Sequence, residues 1–276
     1  MATCASNLEK IGGMNAHTTT LPPSLSALAD ALVAARRTNR TLDAVPWLDT
    51  LHEPAEAYAV QDAVAAALGW FDAGTLPGCW KSGGGSRNAT LTHAPLPPAG
   101  VRQSPADCSD LVFHQPGIEA EIALRLGREV TPAQAASLDH EDAAALVDAM
   151  TVSIEVCDAR WQDREAATPL LRLADSQVHG ALVLGEWRPF AAIDWASQRC
   201  ETRIGNADTV VREGSHPLGD PAWLLPIWLR HLTRHGQSVP AGTVVTTGSW
   251  IGLLPCARGD QVTADFPGIG AVRLRV

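Results

Sequence analysis

Apolar residues in the first part of the chain recur at the spacing of amphipathic helices. Leucines three and four positions apart predict a helix from a Ser24 cap to about Arg37. Valines four positions apart predict a second helix over residues 56–68, with Gly69 just after its end. Paired together, the two helices would form a small N-terminal cap, residues 24–78, behind a flexible tail, residues 1–23. Met1 and Met14 are both candidate starts of that tail.

The pattern changes beyond residue 78, where short β-branched runs bounded by turn residues predict strands. These runs lie near residues 117–127, 151–157, 179–184, 199–204, 208–213, 243–247, 261–266 and 271–276. Gly205 and Asn206 form a hairpin turn signal between two of them. Residues 79–276 are therefore expected to form one mixed-β catalytic domain, which makes the chain an α+β protein.

Two helices are expected within this sheet-rich part. Thr131 caps a predicted helix over residues 132–150. Asp220 and Pro221 open another, which should bend at Pro226 and stop at Gly236.

Composition and charge exclude several classes of protein. The chain has 276 residues and a formal net charge of −9, which argues against nucleic acid or an anionic membrane as a partner. It has no run of about eighteen apolar residues, as a membrane-spanning helix would need. Its six cysteines are scattered without a CxxC pair, which is typical of free thiols in a reducing cytoplasm.

Acidic residues on two predicted strands suggest a metal site. Glu119 and Glu121 are two positions apart, so they would project from the same face of their strand. The strand over residues 151–157 is followed by Asp158. Three carboxylates without a Cys or His companion suit Mg²⁺ or Mn²⁺ rather than zinc. The alternative is that Glu119 and Glu121 simply face water, and the same alternative applies to Glu155.

Seven short motifs, taken in order, resemble the fumarylacetoacetate hydrolase superfamily. Within it the chain is similar to the branch of 2-keto-4-pentenoate hydratases and 4-oxalocrotonate decarboxylases. The motifs are Ala57–Gln61, Trp80–Lys81, Gly117–Ala123, Glu155–Asp158, Leu182–Gly185, His216–Pro221 and Thr246–Trp250. The resemblance spans residue 24 to the C-terminus and implies a rolled mixed β-sheet core in a homo-oligomer. It also implies Mg²⁺ or Mn²⁺ at Glu119, Glu121 and Asp158.

The resemblance implies a small 2-oxo or 2-hydroxydienoate acid as substrate, of the kind met in aromatic catabolism. Lysine occurs only at Lys10 and Lys81, and none follows Asp158, where the carbon–carbon hydrolases of the superfamily carry one. Lys81 matches the upstream lysine of the hydratase and decarboxylase branch and is the predicted catalytic residue. Gly248 and Ser249 are expected to bind the substrate carboxylate.

His179 is assigned to substrate binding as a substitute for a serine that this branch usually carries, with Ser176 as the other candidate. A structural role is the alternative for this histidine.

The leading functional prediction is a hydratase that adds water to a 2-hydroxy-2,4-dienoate through a metal-stabilised enolate. A decarboxylase of a 2-oxo diacid is the nearest alternative, and it would need a second cationic site, for which Arg160, Arg164 and Arg172 are candidates. A carbon–carbon hydrolase would have to use His114 or His179 as its base. A non-catalytic 2-oxoacid-binding subunit is the alternative outside enzymes.

Overall fold

The computed structural model describes residues 21–276, so the predicted tail, except for its last three residues, lies outside the described part. Its helices are α1 (Pro23–Thr38), α2 (Pro54–Leu68), α3 (Pro132–Ser137), α4 (His140–Ala143), α5 (Pro169–Ala174) and α6 (Leu225–Leu232). Single 3-10 turns lie at Val45–Trp47, Pro98–Gly100, Ala144–Leu146 and Pro221–Leu224. Among residues 21–276, none of the helices combines the length and apolarity that crossing a membrane requires.

The two N-terminal helices pack together and against α5. Leu28 and Leu32 of α1 and Val60 of α2 are buried in one cluster with Trp161 and Leu171. Helix α2 ends in a left-handed Gly69 (φ +64°), as predicted. The Ser24 cap is wrong, because α1 already begins at Pro23 and has no side-chain cap. Pro23 supplies the fixed φ that suits the first turn.

Fourteen strands of the described chain form two sheets. They are β1 (Cys79–Gly83), β2 (Thr92–Pro95), β3 (Val101–Gln103), β4 (Ala106–Asp107), β5 (Gly117–Leu126), β6 (Val147–Cys157), β7 (His179–Leu184), β8 (Arg188–Pro189), β9 (Arg199–Ile204), β10 (Val210–Glu213), β11 (Val244–Thr246), β12 (Leu254–Pro255), β13 (Gln261–Phe266) and β14 (Gly270–Arg275). The larger sheet has the order β2-β1-β11-β5-β6-β7-β3, with β12 paired to β5 and β8 to β6. The smaller sheet has the order β10-β9-β13-β14-β4.

The long antiparallel pair β5–β6 is the centre of the larger sheet. Its register runs from Gly117 opposite Cys157 to Leu126 opposite Val147. Strand β11 joins β5 on the other side and connects it to β1 through a parallel pairing. The ends of β1, β5, β6 and β11 therefore lie beside one another, and the candidate site lies there. The mixed sheet with added helices confirms the predicted α+β class.

The helix predicted over residues 132–150 is wrong. Thr131 does cap α3 in a capping box, but Leu138 is extended (φ −69°, ψ 131°) and ends that helix. Asp139 then caps the four-residue α4. From Val147 the chain runs as a strand because pairing along β5 overrides the helix preference of its alanines.

The second predicted helix is shorter than expected. It starts with the 3-10 turn at Pro221–Leu224, which Asp220 caps as predicted. Pro226 lies in the first turn of α6 rather than in a helix interior, so no bend is required. Helix α6 ends at Leu232, before Gly236.

Candidate metal centre and active site

A cavity of about 810 Å³ opens beside the central strands of the larger sheet. The floor is formed by side chains of β1, β5, β6 and β11, and the wall by the loop that carries Gly248 and by helix α5, which carries Arg172. The charged and polar groups that line the cavity are Lys81, Ser82, Thr92, Glu119, Glu121, Cys157, Arg172, Gln177, Arg212, Ser215, Thr246 and Ser249. The sequence predictions Lys81, Glu119, Glu121, Gly248 and Ser249 are thus brought to one cavity.

Strand parity aligns three acidic side chains. Glu119 and Glu121 share one face of β5, and Glu119 lies directly opposite Glu155 of β6. Within the described residues, Glu119, Glu155 and Cys157 form a group whose possible ligand atoms all lie within 4.8 Å of one another. Glu121 is opposite Ser153, one step along the same face.

Lys81 reaches this group from β1 as an ammonium ion. Its Nζ donates to Glu155 Oε1 at 2.8 Å, lies 2.7 Å from Oε2, and also donates to the Gln177 carbonyl at 3.2 Å. Burial opposes the charge, but Cys157, Glu155, Glu119 and Glu121 raise the pKa of Lys81 above its ordinary value. Lys81 is therefore a proton and hydrogen-bond donor in this structure.

Glu121 lies in a buried environment that disfavours its charge. Its Oε2 accepts a hydrogen bond from Thr246 Oγ1, which lies 2.9 Å from Ser153 Oγ. Burial, followed by the charges of Glu119 and Glu155, raises the pKa of Glu121 to about 8. Three carboxylates face one ammonium here, so a further cation would relieve their mutual repulsion.

His179 lies behind Glu155. Its Nδ1 is 2.8 Å from Glu155 Oε1, and the ring is 2% exposed. Burial lowers the pKa of His179, so a neutral ring donates its Nδ1 proton to the carboxylate. The substrate-binding role predicted for His179 is not supported, because it is absent from the described residues that line the cavity.

Asp158 is not part of the carboxylate group. Its Oδ1 accepts from the backbone N–H groups of His114 (2.9 Å) and Gln115 (2.7 Å). It directly follows β6 and is three positions from Glu155, so strand alternation places it on the face opposite to Glu155 and Cys157. The structure thus corrects the predicted third ligand: among the described residues Glu155, and not Asp158, joins Glu119.

The turn that presents Gln177 is strained and held by charge. Ser176, Gln177 and Val178 have φ values of 53°, 52° and 56°, which non-glycine residues adopt at a cost. Asp175, which precedes them, is fully buried between Arg36 (2.8 Å) and Arg160 (3.1 Å).

Arg160 also holds the far end of the strained turn, because its Nη2 donates to the His179 carbonyl at 2.9 Å. Arg160 therefore braces the turn and cannot serve as the distal cationic site considered in the sequence analysis. Arg164 lies 3.2 Å from Glu165, and Arg172 is the member of that trio that lines the cavity.

Gly248 and Ser249 lie at the cavity wall. Gly248 has φ +111°, a conformation that side chains rarely adopt. The Ser249 hydroxyl donates to the Gly252 carbonyl at 2.8 Å and accepts from Ile251 N–H, so it is engaged within its own turn.

Among the lining residues that the sequence analysis did not assign to the site are Cys157, Thr246 and Arg212. Cys157 could have been found by strand parity, since it is two positions from Glu155. Arg212 and Thr246 gave no local signal, because they reach the cavity from strands distant in sequence.

Comparison with protein-family models identifies the family of this chain. The model described as "Fumarylacetoacetate (FAA) hydrolase C-terminal" matches residues 92–276, about two-thirds of the chain. The chain belongs to the fumarylacetoacetate hydrolase family. The resemblance to this family that the sequence motifs indicated is thereby confirmed.

Curated relatives lie in the expected branch. The chain is 29% identical over 167 residues to 2-keto-4-pentenoate hydratase 1 of Dechloromonas aromatica (strain RCB), covering 57% of this chain and 59% of that protein. It is 26% identical over 182 residues to 4-oxalocrotonate decarboxylase of Pseudomonas putida, covering 65% of each. The chain thus spans less than two-thirds of the length of these relatives.

A solved structure matches almost the whole fold. The 4-oxalocrotonate decarboxylase from Pseudomonas putida G7, complexed with magnesium and adipate, aligns with a TM-score of 0.77. The match covers 93% of this chain and 98% of that one at 24% identity. At that identity the likeness establishes the fold of this family member, including its N-terminal helices.

Proposed function

We propose that this family member is a divalent-metal-dependent hydratase that adds water to a 2-hydroxy-2,4-dienoate. The observation that carries the proposal is that Glu119 and Glu121 line one cavity, while Glu155 lies buried opposite Glu119 and pairs with Lys81. Oxygen donors of this kind suit Mg²⁺ or Mn²⁺. We assign the ligand role to these three glutamates.

The residues present fit such an ion. Burial, and after it the charges of Glu119 and Glu155, raise the pKa of Glu121, and a bound cation would favour its ionised form. When bound, the ion would supply Lewis-acid stabilisation of negative charge on the 2-oxygen of the substrate.

Lys81 is suited to move a proton at Nζ. The reaction requires that the 2-hydroxyl proton leaves and that a proton arrives at the far carbon of the diene. Water then adds across the remaining carbon–carbon double bond. Before substrate binds, Lys81 is an ammonium ion because the surrounding carboxylates stabilise its charge, so Nζ holds the proton to be transferred. Glu155, with His179 behind it, fixes the position of Nζ. The backbone at Gly248 faces the cavity, where it can bind the substrate carboxylate.

The proposal is tested by following the ultraviolet absorption of a 2-hydroxydienoate and analysing the product. We expect Mg²⁺- or Mn²⁺-dependent loss of absorption, prevented by EDTA, with one water added to the product. If absorption is lost at the same rate with and without EDTA, the reaction does not depend on a metal ion and the proposal is contradicted. Metal binding without turnover of any 2-oxoacid would favour a binding protein.

Lys81→Met is expected to separate catalysis from metal binding. Removal of the ammonium should lower kcat by about 10²–10⁴-fold, the usual contribution of a positioned proton donor. Mn²⁺ affinity should hold or rise, because the ammonium that competes for Glu155 is gone. Steady-state kinetics and calorimetry measure the two effects. Equal losses of kcat and metal affinity would indicate that Lys81 is only structural.

Metal affinity is expected to rise with pH. Glu121, with a pKa of about 8, is largely protonated at lower pH and must lose that proton to bind the ion. Below that pKa, one displaced proton gives an affinity increase approaching about tenfold per pH unit. Calorimetric titration with Mn²⁺ from about pH 6 to about pH 9 measures this slope. A flat profile would exclude Glu121 as a ligand that must deprotonate.

A second candidate is the decarboxylation of a 2-oxo diacid, favoured by two arginines at the cavity. Arg172 and Arg212 both line it and could pair with a distal carboxylate. Arg172 is only loosely held by Glu165, at 3.6 Å. A monoacid substrate would leave both guanidinium groups without a partner from the substrate.

Arg172→Gln distinguishes the two substrate classes. If a diacid is the substrate, KM for the diacid should rise by about 10-fold or more, since a charge-assisted hydrogen bond is worth about 1.5–3 kcal/mol. KM for the monoacid should stay unchanged. Release of CO₂ from the diacid would favour the decarboxylase. Equal KM changes for both acids would exclude Arg172 as the residue that binds the distal carboxylate.

A further inference from the structure

Cys157 distinguishes this site from one built of oxygen ligands alone. Its thiol points to the same face of β6 as Glu155 and lines the cavity. The Sγ atom lies 3.3 Å from Glu119 Oε2, to which it donates, and 4.0 Å from Lys81 Nζ. The sulfur is therefore inside the group of donors that would surround an ion.

A second observation is the uneven pairing of the two carboxylates. Glu155 is paired with the Lys81 ammonium, whose Nζ lies 2.7 Å from Oε2, whereas Glu119 Oε2 accepts a hydrogen bond from the uncharged Cys157 thiol. The ligand atoms of Glu119, Glu155 and Cys157 lie within 4.8 Å of one another, so one ion can contact all three. Two carboxylates and one sulfur are a donor set for a borderline ion, since thiolates favour Zn²⁺ over Mg²⁺.

We propose that Cys157 is a metal ligand and makes this a mixed oxygen–sulfur site that binds borderline divalent ions such as Co²⁺ and Zn²⁺. The inference rests on the proposed function, because it concerns the same cavity. On coordination the thiol proton passes to solvent, and the sulfur electron pair forms the bond to the ion. Glu119 and Glu155 supply the oxygen ligands, and Cys157 sets the preference among ions.

The test adds Co²⁺ to the full-length protein and records the near-ultraviolet band of sulfur-to-cobalt charge transfer. We expect the band in the wild-type protein and its loss in Cys157→Ser. Cys200→Ser is the matched control, because Cys200 is also a buried free cysteine but lies on β9 in the smaller sheet. This variant should keep the band.

Calorimetry provides the second readout. Loss of a residue that only contacts a metal ligand typically lowers metal affinity by about 10–100-fold. Because Cys157 is proposed to bind the ion directly, Zn²⁺ affinity in Cys157→Ser should fall by at least that factor. Mg²⁺ affinity should stay unchanged. Bound Co²⁺ without a sulfur band in the wild-type protein would overturn the inference, whether or not the variant folds. Unchanged Zn²⁺ affinity in Cys157→Ser would overturn it equally.

The two proposals fail in different ways. Binding of Mg²⁺ or Mn²⁺ without a sulfur band would remove Cys157 from the ligands and leave the proposed hydratase intact. A wild-type protein that binds none of these ions would overturn both.

Discussion

Glu155→Gln is expected to abolish divalent-ion binding and to reduce turnover to background. The substitution removes the carboxylate that lies opposite Glu119 and holds Lys81 Nζ at 2.7–2.8 Å. An amide in its place is neutral and cannot compensate an ion. The fold should survive, because Glu119 and Glu121 still oppose the buried ammonium. Calorimetry with Mn²⁺ and the dienoate assay measure the two losses.

Asp158→Asn is the matched control, since it removes a neighbouring buried carboxylate. Its oxygen can still accept from the backbone N–H groups of His114 and Gln115. Metal affinity is therefore expected to stay unchanged. If Asp158→Asn loses the ion while Glu155→Gln keeps it, the ligand assignment made from the structure is wrong.

Asp175→Asn is expected to destabilise the fold more than any other single charge removal discussed above. Asp175 is 1% exposed and carries the negative charge between Arg36 and Arg160. Without that charge two guanidinium groups are left uncompensated in a buried position. Burial, and then the charge of Arg160, already lower the pKa of Arg36 to about 10. Breaking a buried pair of this kind costs about 3–5 kcal/mol.

The measurement is denaturant unfolding monitored by circular dichroism, with Asp148→Asn as control. Asp148 pairs with Arg125 at 2.9 Å on the surface, where such pairs contribute about 0–1 kcal/mol. Equal losses in the two variants would mean that the Asp175 cluster does not brace the turn. Asp175→Asn should also reduce activity, because the turn presents the Gln177 carbonyl to Lys81.

Local pattern was sufficient for much of the fold and for two of the three carboxylates. The alternation in Gly117–Leu126 predicted both the strand and the shared face of Glu119 and Glu121, and the observed β5 agrees. The third ligand required the phase of β6 relative to β5, which depends on cross-strand register. Register placed Glu155 opposite Glu119, while Asp158, three positions further along the chain, falls on the opposite face.

Other features depend on contacts between distant segments. Asp175 and Arg36 are 139 positions apart, so no local pattern could relate them. The strand that replaced part of the helix predicted over residues 132–150 is another example. Its alanines favour a helix, but the β5 edge offers hydrogen bonds and apolar packing that only the tertiary structure supplies.

The most direct test of the metal site is an anomalous diffraction map of crystals soaked with Mn²⁺ and oxalate, which mimics the two chelating oxygens of the substrate. The account predicts one manganese peak in contact with carboxylate oxygens of Glu119, Glu121 and Glu155, with oxalate on its cavity side. A peak at Asp158, or no peak in this cavity while oxalate binds elsewhere, would contradict it.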